Sequence, residues 1–234
     1  MSAFKAYDIR GIYNKDFNKD TVYRIGYFLP TLLKSDVVLV GRDVRTTSNE
    51  IFTALAQGIN DSGADVWDIG LATTPMVYYC TVHFQVGASV QITASHNPAI
   101  YNGLKVSRSG AIPVGSDSGL KELEQMVKEG AIVVAQKRGA IIEKDGKSPY
   151  LAFLKKFDLD LDSLNLSIDC SHGMANLLVK ELFGDEHHYL WDHFDGTFPA
   201  HEPNPLEVEN CEDLKRAVIA NKSDIGVIFD GDAD

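Results

Sequence analysis

Positive charge is in short supply. Lysine and arginine number 22 against 33 aspartate and glutamate, which leaves a net charge of −11 and a pI near 5.0. That balance argues against nucleic acid or an anionic membrane as a partner and fits a soluble protein that tolerates a cation. Cysteine is scarce too. Cys80, Cys170 and Cys211 are odd in number and no pair has metal-ligand spacing, so no disulfide framework is expected and a reducing compartment is the default. No apolar run approaches the ~20 residues of a membrane span, and the first ten residues contain no apolar signal segment. A cytoplasmic location follows as the expectation. The chain also lacks a Walker A loop, a Gly-x-Gly-x-x-Gly and a Gly-x-Ser-x-Gly, which removes the nucleotide fingerprints and the nucleophile elbow. His83, His172, His187, His188, His193 and His201 show no consistent ligand spacing.

What is present is a 234-residue chain, 44% hydrophobic, able to bury one to two cores at roughly 150 residues per domain. Short β-branched runs alternate with helical windows. Strands are predicted at Val37–Val40, Asp65–Ile69, Ala88–Thr93, Leu104–Val106, Leu164–Asp169, His188–Trp191 and Ile225–Phe229. Helices are predicted at Asn49–Asn60 with Ser48 as N-cap, Thr74–Phe84, Ser118–Lys128, Pro149–Phe157, Met174–Phe183 and Cys211–Asn221. The rhythm predicts two successive α/β domains with mixed, largely parallel sheets flanked by helices. The polar stretch Glu143–Lys147 marks the boundary, giving domains 1–146 and 147–234. The last strand delivers Asp230 and no element follows, so the second domain reads as cut short.

Two loops carry chemistry. The first is Gln91-Ile92-Thr93-Ala94-Ser95-His96-Asn97-Pro98, a hydroxyl on a turn after an apolar run. Pro98 biases Asn97 away from helix. Asn102-Gly103 reads as a second turn, folding Lys105 back toward Ser95, where its cation would offset charge during group transfer. Taken alone, a Ser-His pair reads more readily as an ordinary surface turn, since neighbours on an extended chain point apart. The second loop is Asp230-Gly231-Asp232-Ala233-Asp234. Alternate carboxylates point the same way on extended backbone, and oxygen-only ligands suit Mg²⁺. A solvated acidic tail is the other reading. An EF-hand would need a preceding helix, a later Gly and a distant Glu. Arg42 and Arg45 sit at a strand end, placed to bind an anion or to pair with Asp43.

Taken together, these motifs resemble those of the α-D-phosphohexomutases, nearest the phosphomannomutase/phosphoglucomutase branch. The resemblance rests on Thr93–Pro98, Tyr101–Lys105, Tyr7–Gly11, Gly41–Asp43, Pro203–Leu206 with Glu209-Asn210, and Asp230–Asp234. It implies a phosphoserine at Ser95 that passes its phosphate to a hexose phosphate, making a hexose 1,6-bisphosphate that interconverts the 1- and 6-phosphates. It implies Mg²⁺ held by Asp230, Asp232, Asp234 and an oxygen of Ser95. Arg10 and Lys105 would polarise or relay protons beside the phosphoserine, Tyr7, His96 and Asn97 would line its loop, and Arg42 and Asp43 would brace it.

The family has four domains, of which this chain matches the first and most of the second. Little turnover of the chain alone, weak Mg²⁺ affinity and self-association, or pairing with missing C-terminal domains, are therefore expected. A non-catalytic remnant that binds phosphate, metal or a partner is the alternative. A phosphatase using an aspartyl nucleophile at Asp230 would leave the Ser95 loop unexplained.

Overall fold

The computed structural model describes residues 3–157, 161 and 163–234. The first α/β unit runs β1 (Ile9–Ile12), α1 (Lys19–Leu33), β2 (Val37–Arg42), α2 (Ser48–Asp61), β3 (Asp65–Leu71), α3 (Thr74–His83), β4 (Ala88–Ile92), β5 (Tyr101–Arg108), β6 (Ile112–Pro113), α4 (Leu120–Glu129) and β7 (Ile141–Glu143). Its sheet has the order β1-β5-β4-β2-β3-β7, with β6 also paired to β5. The β7-β3-β2-β4 portion is parallel, and β5 runs antiparallel to β4 and β1. Side chains alternate across β2. Val38 and Val40 join the core beneath α1, α2 and α4, while Leu39 joins the one beneath α3. Both faces are thus covered by helices, which explains the continuous apolar run at the start of β2 and the burial of every residue of β4, Ser89 and Gln91 included.

The sequence pattern missed β1, β7 and α1. Helix α1 is capped by Asn18, whose side chain accepts from the Thr21 amide at 3.0 Å, and it buries Val22, Ile25 and Leu29. Gly26 and Pro30 read as breakers but serve packing. A Cβ on Gly26 would lie 2.2 Å from the Leu55 carbonyl oxygen, and one on Gly58 2.0 Å from that of Tyr23. The two glycines let α1 and α2 cross with their backbones nearly touching.

The second unit runs α5 (Lys147–Leu154), β8 (Leu166–Asp169), α6 (Val179–Phe183), β9 (His188–Leu190), α7 (Glu212–Asn221) and β10 (Ile225–Ile228). Its sheet, β10-β8-β9, is parallel throughout, over a small core of Leu166, Ile168, Cys170, Ala175 and Val179. Tyr150 of α5 and Leu178, just before α6, pack with Met76 and Cys80 of α3, which joins the two units. On the other side of this unit, Ile219 of α7 and Ile225 of β10 are exposed.

Three expectations need correcting. Asn102-Gly103 is not a turn but lies inside β5, facing Gly11 and Arg10 of β1. Asn102 is buried and donates to Thr47 and Ser48, and a Cβ on Gly103 would strike the Ile9 carbonyl at 2.2 Å. Ser48 is not the N-cap but the first residue of α2, after Thr47, and its hydroxyl donates to Asp43 at 2.7 Å. Met174–Phe183 splits into a 3-10 turn and the short α6.

Candidate functional site

The Ser95 loop leaves the carboxyl end of β4 and makes two successive turns, closed by Asn97 N–H to Ala94 O and Tyr101 N–H to Pro98 O, both 3.0 Å. Ser95 itself is left-handed, with φ of 52°, a conformation that strains a residue bearing a Cβ. Its amide donates to Thr93 Oγ1 at 2.9 Å. Its carbonyl accepts from Arg45 Nη2 at 2.7 Å. Arg45 is wholly buried and also donates to the carbonyls of Asn97, Pro98 and Tyr101 and to Asp43. The loop is therefore moulded around one guanidinium.

The acidic loop follows β10, at the carboxyl edge of the second sheet, where α/β proteins place ligands. It meets the first unit at several points. Gly231 lies against the serine loop so closely that a Cβ there would be 2.7 Å from the Ser95 carbonyl oxygen. Thr74, at the start of α3, donates its amide to the Asp232 carbonyl at 3.0 Å and its hydroxyl to Asp232 Oδ2 at 2.5 Å. Ser95 Oγ then donates to Asp230 Oδ2 at 2.9 Å, across 135 residues of sequence.

Asp230, Asp232 and Asp234 each offer an oxygen within 4.8 Å of the others. Lys105 Nζ donates to Asp232 Oδ2 at 2.8 Å and to Asp234 Oδ2 at 2.6 Å. One ammonium cannot neutralise three carboxylates. Burial, with the charges of Asp232 and Asp234 added, pushes the Asp230 carboxyl up to about 7. Burial works against ionisation of Asp232 as well, but the adjacent Lys105 outweighs it and holds that carboxyl below its usual range. Asp232 Oδ1 is buried with no hydrogen-bond partner. A surplus of buried negative charge, oxygen-only donors and an orphaned carboxylate oxygen fit a hard divalent cation.

Of the other residues singled out by sequence, Arg10 reaches the loop, donating to Asn97 Oδ1 at 2.6 Å while pairing with Asp8. His96 and Asn97 are half-buried on it, and Tyr7 is 84% exposed. Asp43 is buried and anchors Arg45 and Ser48. Arg42 points elsewhere, to Asp68 at 2.8 Å and onto the Phe52 ring. Arg45, which sequence left open between anion binding and pairing, holds the loop by backbone contacts. From sequence Thr74 reads only as a helix start. A cleft of about 530 Å³ between α1 and α4, lined by Asp20, Arg24 and Lys128 among others, shares no residue with this site.

Residues 1–132 match the family model for phosphoglucomutase/phosphomannomutase, alpha/beta/alpha domain I, and residues 148–234 match that for domain II. The chain belongs to the phosphoglucomutase/phosphomannomutase family. It is 36% identical to a phosphomannomutase of Salmonella typhimurium, with all of this chain covering 54% of that protein. It is 35% identical to a phosphoglucomutase of Neisseria gonorrhoeae, where 99% of this chain covers 51%. The crystal structure of a phosphoglucomutase/phosphomannomutase family protein from Burkholderia thailandensis superposes with a TM-score of 0.88 at 32% identity, over 98% of this chain and 52% of that one. The chain thus spans about half the length of these family members. Among the described residues, no helix is long and apolar enough to cross a membrane.

Proposed function

We propose that this chain carries the phosphoserine and cation-binding parts of a phosphohexomutase, which interconverts hexose 1-phosphate and hexose 6-phosphate through a hexose 1,6-bisphosphate. The observation that carries the reading is the Ser95 hydroxyl held 2.9 Å from Asp230, inside a cluster of three carboxylates drawn from the other unit. Asp230, Asp232, Asp234 and Ser95 Oγ would hold Mg²⁺. When bound, the cation supplies neutralisation of charge on the transferring phosphoryl group.

The rest falls to the chain's own residues. Ser95 Oγ is the atom that accepts and returns the phosphoryl group, and the moulded loop fixes it in place, which is where most of phosphoryl-transfer catalysis lies. Lys105 aligns Asp232 and Asp234 and brings a positive charge to the same spot. Arg10, tied to Asn97, adds a second cation at the loop. Tyr7 and His96 flank the surface that a hexose phosphate would approach. Asp43 acts through Arg45 and through Thr93, whose hydroxyl also accepts from the Ser95 amide, and Arg42 has no role at Ser95. We also assign the domain boundary to 146/147. The exposed Ile219 and Ile225 favour association with a further polypeptide or a second copy.

The test is to incubate the chain with glucose 1,6-bisphosphate and Mg²⁺ and to map phosphate by mass spectrometry. One phosphoryl group on Ser95, absent in Ser95→Ala, is the expected result. Phosphate on Asp230 instead, or none, would remove the reading. In a coupled assay on mannose 1-phosphate and glucose 1-phosphate the 234-residue chain alone is expected to turn over little. A rate like that of a full-length mutase would contradict this.

A further inference from the structure

We infer that Thr74 is a positioning residue for the cation site, which determines the oxygen of Asp232 that is left to bind the ion. The inference rests on the cation reading of the acidic loop. Asp232 is fully buried, and the two hydrogen bonds its side chain receives from the first unit converge on one oxygen: Oδ2 accepts from Thr74 Oγ1 at 2.5 Å and from Lys105 Nζ at 2.8 Å. Oδ1 receives none. With Oδ2 occupied, Oδ1 is the oxygen available as a ligand.

The ordinary reading of a threonine at a helix start is a cap, and it does not apply here. Thr73 performs that task, its Oγ1 accepting from the Met76 amide at 3.1 Å. Nor does Thr74 bond back to its own helix, as Thr81 does to the Val77 carbonyl. Its hydroxyl has one proton to give, and gives it to a carboxylate of the other unit, 158 residues along the chain. Its amide fixes the backbone of the same residue. Thr74 therefore sets both the position and the rotation of Asp232. Because it belongs to the first unit, the site takes shape only when the two units are docked.

Groups that orient a ligand from outside change metal affinity by about 10- to 100-fold when removed. Thr74→Val keeps the shape and the amide but deletes the hydroxyl, and Thr74→Ser keeps the hydroxyl. The experiment is a Mn²⁺ titration of the 234-residue chain, with free Mn²⁺ read by electron paramagnetic resonance, alongside thermal unfolding with and without Mn²⁺. Thr74→Val is expected to bind Mn²⁺ about 10- to 100-fold more weakly, Thr74→Ser to recover the affinity, and Asp232→Asn to lose it. The Tm gap between wild type and Thr74→Val should widen when Mn²⁺ is added, because the ion stabilises the better binder more. Three results would overturn the inference. Thr74→Val could bind like wild type while Asp232→Asn does not, which leaves the cation site standing without Thr74. The gap could stay constant with no rescue by serine, which makes Thr74 structural only. Wild type could fail to bind Mn²⁺, which removes the cation site and Thr74's role with it.

Discussion

Arg45 Nη2 lies 2.7 Å from the carbonyl oxygen of Ser95, and that bond is one of five. A guanidinium has five N–H donors, and here each has a partner: Asp43 from Nε, Pro98 and Tyr101 from Nη1, Ser95 and Asn97 from Nη2. A single side chain thus donates to four loop carbonyls, of which that of Pro98 also accepts from the Tyr101 amide, and it holds Ser95 in its left-handed conformation. Phe198, from the second unit, covers the guanidinium at 5.0 Å. Removing Arg45 leaves Asp43 buried without its cation. Arg45→Met should cost about 3–5 kcal/mol in denaturant unfolding, as for other broken buried pairs. Arg45→Lys should recover little of it, since an ammonium has three donors and no planar fork. Full recovery by lysine would show that charge alone matters there.

The approach of the acidic loop to the serine loop depends on Gly231. Its φ is not left-handed, so the requirement is space rather than backbone freedom. Gly231→Ala puts a methyl 2.7 Å from the Ser95 carbonyl oxygen. The two loops must separate by several tenths of an ångström, and both are tethered. A loss of about 1–3 kcal/mol is expected, as in overpacked cores, together with weaker Mn²⁺ binding. Unchanged binding in the variant would mean that the loops move without consequence for the triad.

Much of this site was legible in the sequence. Ser95, Lys105 and the three aspartates stand out in the sequence mainly through their resemblance to the family's motifs, and the fold brings them together, Lys105 along a strand rather than around the expected turn. The partition of labour between Arg42 and Arg45 was not. Arg42 ends β2 and Arg45 follows it, and only the tertiary fold sends Arg42 toward Asp68 and Arg45 into the loop. Thr74 was invisible as a site residue because its partner lies in the other unit. The alternation of strands and helices was also legible, because short stretches rich in β-branched residues, such as Val37–Val40, recur between helical windows. Helix α1 was not, since Gly26, needed for packing against α2, and the buried Pro30 interrupt its pattern. Nor was β5 at full length, because Asn102-Gly103 carries a turn signature that β1 overrides.

The α1/α2 crossing sets two effects against each other. Helix propensity alone favours Gly26→Ala by about 1 kcal/mol. The new Cβ would sit 2.2 Å from the Leu55 carbonyl oxygen, which is backbone and cannot rotate away. Overpacking of that kind costs about 3 kcal/mol or more, so sterics win and the variant should be less stable. Gly58→Ala should behave alike. A higher Tm for either would show that the helices slide apart freely.

His201 gives a pH dependence whose sign can be worked out. Its Nε2 lies 3.1 Å from Asp169 Oδ2 and its Nδ1 2.8 Å from the Glu202 carbonyl oxygen. Both partners are acceptors, and only the imidazolium can donate from both nitrogens. Burial works against that charge, but the Asp169 hydrogen bond, the Glu202 carbonyl and the charges of Asp169 and Asp213 outweigh it. The native pKa is accordingly raised above the ordinary 6.5. A group whose native pKa is raised binds its proton more tightly folded than unfolded. Its contribution is complete below the unfolded value and disappears as pH rises through the native one. Wild type should therefore lose stability across the neutral to mildly alkaline range relative to His201→Gln, which cannot protonate. Denaturant midpoints measured between about pH 5 and 9 should show the gap between the two proteins largest at the acidic end and shrinking as pH rises. Parallel curves would mean that folding leaves the pKa of His201 unchanged, and a gap that grows in favour of wild type as pH rises would mean that the native fold holds the ring neutral.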